Sequence, residues 1–334
     1  MQETLLSIRN LRTSFRISGE YYAAVDGVDL DIFKNEVFAI VGESGCGKSA
    51  LALSIARLHN MNYTRIEGEV NFNGKNLLDM GVSQLNKIRG ANISMIFQDP
   101  LTALNPLLRV GSQIEENLTY HTDLDGNAKK ARTFELLKDV GMSNPEVIYS
   151  QYPHELSGGM RQRAMIAIAM ACKPELIIAD EPTTALDVTI QAQILDLMRG
   201  LQKETKTSFI LITHDLGVVA EMADRVAVMY GGQIVEQADC KELFKNPCHP
   251  YTRSLLASIP QAGENLKRLN AIKGMVPTLK YMPRSGCRFS LRTPWISKDV
   301  HEADPVFHEV TPGHLVRCTC YKDFYFEKDA KGAS

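Results

Sequence analysis

The sequence predicts an α/β protein in which a parallel sheet is covered by helices, and three observations predict it. Apolar runs of strand length, "PELIIADEP" (174–182), "TSFILITHD" (207–215) and "RVAVMYGGQIVEQ" (225–237), recur along the chain with helical stretches between the earlier elements. Alternation of this kind is how a helix-covered parallel sheet is written in a sequence. A glycine-rich turn joins the apolar strand "EVFAIVG" to the helical pattern "KSALALSIARL", and the strongly apolar "MRQRAMIAIAMA" opens a further helix.

The remaining elements follow in order. "LLSIRNLRTSF", "AAVDGVDLDIF" and "EVFAIVG" form a β-rich opening over residues 4–42, with "SGE" and "KNE" as turns, and "GEVNFNGKNL" adds a later β stretch. Residues 99–158 carry helical signals and breakers, which suggests an inserted α-helical subdomain. From about 240 the composition shifts to Pro, Arg, Cys and His with weak periodicity, so the expected division is 1–240 and an appended region, 241–334.

Composition narrows the function. With 334 residues, 44% hydrophobic and 23% charged, the chain can build a sizeable core. Thirty-seven Lys and Arg against 39 Asp and Glu leave a net charge of -2, which gives no overall attraction to nucleic acid. The start, "MQETLLSIRN", is not that of a secretory signal, and no apolar run reaches the roughly 18–20 residues that span a bilayer. Seven scattered cysteines, an odd number, suit a reducing compartment.

"GESGCGKS", Gly42 to Ser49, fits G-x-x-x-x-G-K-[ST] in the strand-to-helix context that the motif requires. Such a turn wraps phosphate oxygens in backbone N–H groups, which Cβ atoms would obstruct; hence Gly42, Gly45 and Gly47. The whole turn, with Glu43, Ser44, Cys46 and the following Ala50, is expected at the nucleotide, although Cys46 needs no special role. Lys48 is placed to reach the β- and γ-phosphates, and the Ser49 hydroxyl to ligate Mg²⁺.

"LIIAD" ends a buried strand in Asp180, a candidate Mg²⁺ ligand, and Glu181 beside it could polarise a water for in-line attack. An acidic N-cap is the structural alternative, since "DEPTTALD" also reads as a turn into a helix. His214 ends the strand "FILIT". Ligands of open α/β sheets sit beyond the carboxyl ends of the strands, where Gly42, Asp180 and His214 would converge.

These residues give the chain a resemblance: it is similar to the ATP-binding subunits of ATP-binding cassette (ABC) transporters over about its first 240 residues. "LSGGMRQR" resembles the family signature, "FQDP" with Gln98 the Q-loop, "ALD" with Asp187 the D-loop and "THD" with His214 the H-loop, all in the family's order. The resemblance implies an ABC-type P-loop core with an antiparallel β subdomain and an inserted helical one. It also implies head-to-tail pairing of two cassettes, so that Ser157, Gly158 and Gly159 of one face the γ-phosphate held by the other. Gln98 would bind Mg²⁺ or the attacking water and sense the membrane subunits. Phe15 matches the place of the aromatic that stacks on adenine, with Tyr21 and Tyr22 as competitors; its alternative is packing in the β lobe.

"FQDPLTALNP" and "NPCHPYTRSLLASIP" resemble the peptide and nickel importer branch, with His249, Pro250, Tyr251 and Thr252 carrying the "HPYT" match. Many relatives continue with "GC-x-F-x-x-RCP" and two later cysteines that ligate an iron–sulfur cluster. This chain keeps Cys287 but has Thr293 at the second thiol, leaving only Cys318 and Cys320 beyond it. Four thiolates are the usual requirement for a [4Fe–4S] centre, so a cluster is not expected unless His301 or His308 substitutes.

The resemblance therefore implies an ATPase subunit at the cytoplasmic face of the membrane, using ATP and Mg²⁺ to drive peptide uptake. Its partners would be a second ATPase, in a heterodimer by the branch's habit, two transmembrane permeases and an extracytoplasmic peptide-binding protein. A nickel importer has the same parts. A soluble cassette acting on nucleic acid would need a coiled-coil or zinc-bearing insertion, and neither is visible. A subunit that binds nucleotide without hydrolysing it would be expected to lack Glu181 or His214, and both are present.

Overall fold

The structure is a computed structural model that describes residues 3–184, 186–258 and 272–327. In chain order it opens with β1 (Thr4–Ile17), β2 (Glu20–Phe33), β3 (Val37–Val41), α1 (Lys48–Ile55), β4 (Thr64–Phe72), β5 (Lys75–Asn76), α2 (Val82–Ile88) and β6 (Ile93–Ile96). Helices α3 (Pro100–Ala103), α4 (Val110–His121), α5 (Gly126–Asp139) and α6 (Pro145–Ser150) follow, then α7 (Gly158–Met170), β7 (Leu176–Asp180), α8 (Val188–Thr205), β8 (Ser208–Thr213) and α9 (Leu216–Met222). The described chain closes with β9 (Arg225–Tyr230), β10 (Gln233–Asp239), α10 (Cys240–Lys245), α11 (Pro250–Ala257), β11 (Phe307–Thr311) and β12 (His314–Arg317).

Two sheets result. The smaller has the order β2-β1-β4-β5 and is antiparallel. The larger runs β11-β12-β10-β9-β3-β8-β7-β6, parallel from β9 to β6 and antiparallel from β9 to β11. Every residue of β3, β7 and β8 is buried, which is why these strands appear in the sequence as unbroken apolar runs.

Two expectations need correction. "EVFAIVG" does not belong to the β-rich opening: β3 lies between β8 and β9 in the larger sheet. "RVAVMYGGQIVEQ" is two strands, not one, because Gly231 (φ 54°) and Gly232 (φ 86°) turn the chain into a hairpin, so the sheet is mixed.

One face of the larger sheet packs against α7 and the helices of 110–150 in a single apolar core. The other covers α1 and the smaller sheet. A third core joins Val226, Val228 and Tyr230 to Tyr251, Phe289, Cys287, Cys318 and Cys320, and β12 pairs with β10 at Glu236↔Val316 and Gln237↔Leu315. The sheet thus continues across residue 240. Among the described residues no helix is long and apolar enough to cross a membrane.

Candidate nucleotide site

Neighbouring parallel strands bring the candidate residues to one edge of the sheet. Gly42 follows β3, Asp180 ends β7, His214 follows β8, and Gln98 lies two residues beyond β6. All four strands point the same way, so their carboxyl ends share one side, as open α/β sheets require of a ligand site. A cavity of about 750 Å³ opens there, lined by the turn from Gly42 to Ala50 except Cys46 and by Gln98, Glu181 and His214.

The turn's glycines have different reasons. A Cβ at Gly42 would lie 2.2 Å from the Met229 carbonyl oxygen, and one at Gly47 would lie 2.5 Å from that of Ala24. Here the chain's own backbone already excludes a side chain, a constraint that adds to the reason given above. Only at Gly45 is the Cβ direction open within 4 Å. Lys48 is buried, with Nζ donating to the carbonyls of Gly42 at 2.7 Å and Glu43 at 3.0 Å. Cys46 lies behind the loop: burial pushes its thiol up, and it does not line the cavity.

Asp180 is buried, and its Oδ1 has no hydrogen-bond partner. Burial pushes its carboxyl up and Glu181 adds to that, while the Ser49 hydroxyl and Lys48 pull it down. A buried, orphaned carboxylate oxygen beside a hydroxyl is a donor set suited to a hard cation such as Mg²⁺. Glu181 holds a left-handed backbone, φ 47°, a costly conformation for a residue with a side chain. Its Oε2 accepts from Gln98 Nε2 and Thr184 Oγ1, each at 2.9 Å, and its Oε1 lies 3.4 Å from His214 Nδ1. The carboxylate is thereby aimed.

Sequence reasoning missed a brace on this site. The Glu43 N–H donates to the Tyr251 hydroxyl at 2.7 Å, and the Glu43 carboxylate pairs with Arg292 at 2.5 and 3.2 Å. Leu255 of α11 and Leu279 complete the cavity wall. The "HPYT" segment was visible in the sequence. Its contact with the phosphate turn was not.

Comparison with known proteins adds the lineage. The ABC transporter family model matches residues 25–184, and the model of the oligopeptide/dipeptide transporter C-terminal region matches 235–297. The chain is 49% identical over 325 residues to the oligopeptide transport ATP-binding protein OppD of Lactococcus lactis subsp. cremoris, covering 97% of this chain and 96% of that one. It is 50% identical to AppD of Bacillus subtilis, covering 96% and 98%. The chain belongs to the ABC transporter family. Among solved structures, the dimeric post-hydrolysis state of the ATP-binding cassette MJ0796 with ADP and Pi matches with a TM-score of 0.64 at 29% identity, over 70% of this chain and 98% of that one.

The remaining family motifs lie apart from the cavity. Ser157 is the N-cap of α7, accepting from the Met160 N–H at 3.3 Å, and with Gly158 it is exposed. The glycines occupy the first turn of α7 rather than preceding it. A Cβ at Gly159 would lie 2.8 Å from Ile190 Cγ2, whereas at Gly158 the nearest atom is Leu186 Cδ2 at 4.0 Å. Packing within the chain thus accounts for Gly159 and leaves Gly158 unexplained. Asp187, expected at nucleotide, caps α8 by accepting from the Ile190 N–H at 3.0 Å and does not line the cavity.

Phe15 is half-buried edge-on to His59, with ring centroids 5.1 Å apart. Tyr21 lies under the Arg65 guanidinium and Tyr22 donates to Glu20. None of the three lines the cavity; Ala24, Leu255 and Leu279 form its apolar wall.

Proposed function

We propose that the chain is the ATP-hydrolysing subunit of an importer of di- or oligopeptides. The observation that carries the reading is the convergence of Lys48, Gln98, Glu181 and His214 on one cavity at the carboxyl ends of parallel strands, with the buried Asp180 carboxylate beside the Ser49 hydroxyl. The kinship with oligopeptide and dipeptide transport proteins supports peptide as the cargo.

In this reading the phosphate turn binds the triphosphate, and Lys48 exchanges its carbonyl partners for phosphate oxygens. Ser49, Asp180 and Gln98 would hold Mg²⁺, which would supply charge neutralisation on the phosphates. Glu181 takes the proton of the attacking water on the oxygen facing His214. Gln98 and Thr184 fix that carboxylate, and His214 contacts the γ-phosphate or the water. Glycine at position 158, with Ser157, serves a nucleotide bound by a second cassette, so association completes the site. Residues 1–240 form the nucleotide-binding domain, its helical part near 99–158, and 241–334 the extension.

The partners in this reading are a second, distinct ATPase, two permeases and an extracytoplasmic peptide-binding protein, with this subunit peripheral on the cytoplasmic face. The test is a tagged pull-down from native membranes followed by uptake of labelled peptide and nickel by the recovered complex in vesicles. Recovery of two polytopic subunits and ATP-dependent peptide uptake is the expected result. Uptake of nickel alone would assign the other cargo, and recovery of nucleic acid without permeases would defeat the reading.

A further inference from the structure

Three separate segments of the extension bring four metal-ligating side chains together. Cys287 begins the turn of 3₁₀ helix Arg288–Arg292, His301 follows the turn Lys298–Val300, and Cys318 and Cys320 follow β12. One ligand atom from each lies within 4.8 Å of all the others. The three thiols are buried and none is in a disulfide.

Two further observations point to a ligand. Both ring nitrogens of His301 are buried and neither has a hydrogen-bond partner, an unusual state for an imidazole, which carries both a donor and an acceptor. Cys318 holds a left-handed backbone, φ 71°, and its sulfur accepts the Glu302 N–H at 3.4 Å, so its thiol is oriented against local preference. Among the described residues a second grouping, Glu236, Cys248 and His314, leaves one buried ring nitrogen, His314 Nδ1, without a hydrogen bond, and the Glu242 carboxylate lies 3.7 Å from it. Glu236 there already accepts from the N–H groups of Cys248 and His249 and from His314, each at 2.8 Å.

The spacing separates one ion from a cluster. A tetrahedral Zn²⁺, with Zn–S near 2.3 Å and Zn–N near 2.0–2.1 Å, places its ligand atoms roughly 3.5–3.8 Å apart, within the bound found here. A [4Fe–4S] cubane seats four thiolates on four different irons and needs them farther apart. This chain offers three thiols and one imidazole in a tighter set. The residues present do not fit the cluster.

We propose that Cys287, His301, Cys318 and Cys320 form a closed, structural tetrahedral site for a single Zn²⁺. Three thiolates and an imidazole fill the coordination sphere and leave no position for substrate. The ion ties the turn that carries Arg288 and Arg292 to the hairpin that extends the main sheet.

The test is the metal content of the full chain purified anaerobically without chelators or affinity metals. About one zinc per chain is expected, with no iron-dependent visible absorption. Cys320→Ser and His301→Ala should each lower zinc several-fold, and Cys248→Ser should leave it unchanged. Should those variants fail to fold, stripping the wild-type chain and titrating it with Co²⁺ gives an independent reading: one equivalent should produce the visible spectrum of tetrahedral thiolate-bound cobalt. About four irons per chain, a disulfide among the three cysteines with no metal, or zinc unaffected by both ligand variants would each overturn the proposal.

Discussion

The phosphate turn and the first turn of α7 are both glycine-rich and both suited to an anion, yet they are built differently. The phosphate turn is braced from behind: Met229 and Ala24 lie against Gly42 and Gly47, and Tyr251 and Arg292 hold Glu43. The α7 turn rests on Ile190 beneath Gly159 and on the Arg161 bond to the Pro153 carbonyl, and presents Ser157 and Gly158 to solvent. In the proposed reading the difference separates the half of the site that the chain supplies for its own nucleotide from the half it offers to another.

The largest effects separate the two turns by readout. Lys48→Ala should abolish ATP binding to the isolated chain, measured by calorimetry. Ser157→Arg should leave that binding within about twofold yet lower hydrolysis by the assembled complex about 10²-fold or more, the scale of losing charge-stabilising contacts in a transition state. Loss of binding by the isolated Ser157→Arg chain would erase the distinction. Glu181→Gln belongs to the first half: hydrolysis should fall about 10²–10⁴-fold, as for removal of a general base, with binding retained.

Smaller effects sharpen it. Gly159→Ala should destabilise the chain by about 1–3 kcal/mol in thermal denaturation, because Ile190 must move. Gly158→Ala should change stability by under about 0.5 kcal/mol while still slowing the assembled complex. Arg292→Met leaves Glu43 without its cation and should weaken ATP binding to the isolated chain by roughly tenfold, about 1.4 kcal/mol.

The smallest effect is on pH. The Glu236 carboxylate, accepting from Nε2, raises buried His314 above its ordinary value of 6.5. A raised histidine stabilises fully below 6.5, and that contribution disappears as pH rises through the folded value. Buried His249 runs the other way: burial lowers it to about 4, so stability also declines as pH falls from 6.5 toward 4. Denaturation followed from pH 4 to 9 should show a maximum between, and His314→Gln should flatten its alkaline limb.

Much of this was legible in the sequence for stated reasons. Strands buried on both faces must be continuously apolar, so β7 and β8 appeared as such, and the phosphate turn is local chemistry at fixed spacing. Alternation locates β1 but does not say which of its side chains faces a ligand, and within the chain Phe15 packs edge-on to His59. The Gly231-Gly232 pair marked a turn that the apolar run obscured. Arg292 and Glu43 lie 249 positions apart, and no local pattern encodes a pair that only the finished sheet brings together.

Tyr230 has one consequence for laboratory practice. Buried on the last parallel strand, it stacks tilted on Tyr251 at 4.7 Å and edge-on to Phe289 at 5.2 Å. A recombinant fragment stopped at residue 240, the point that composition alone recommends, would bare that ring and remove Leu255 and Leu279 from the wall of the cavity. Affinities measured on so shortened a cassette would describe a damaged pocket rather than the native one.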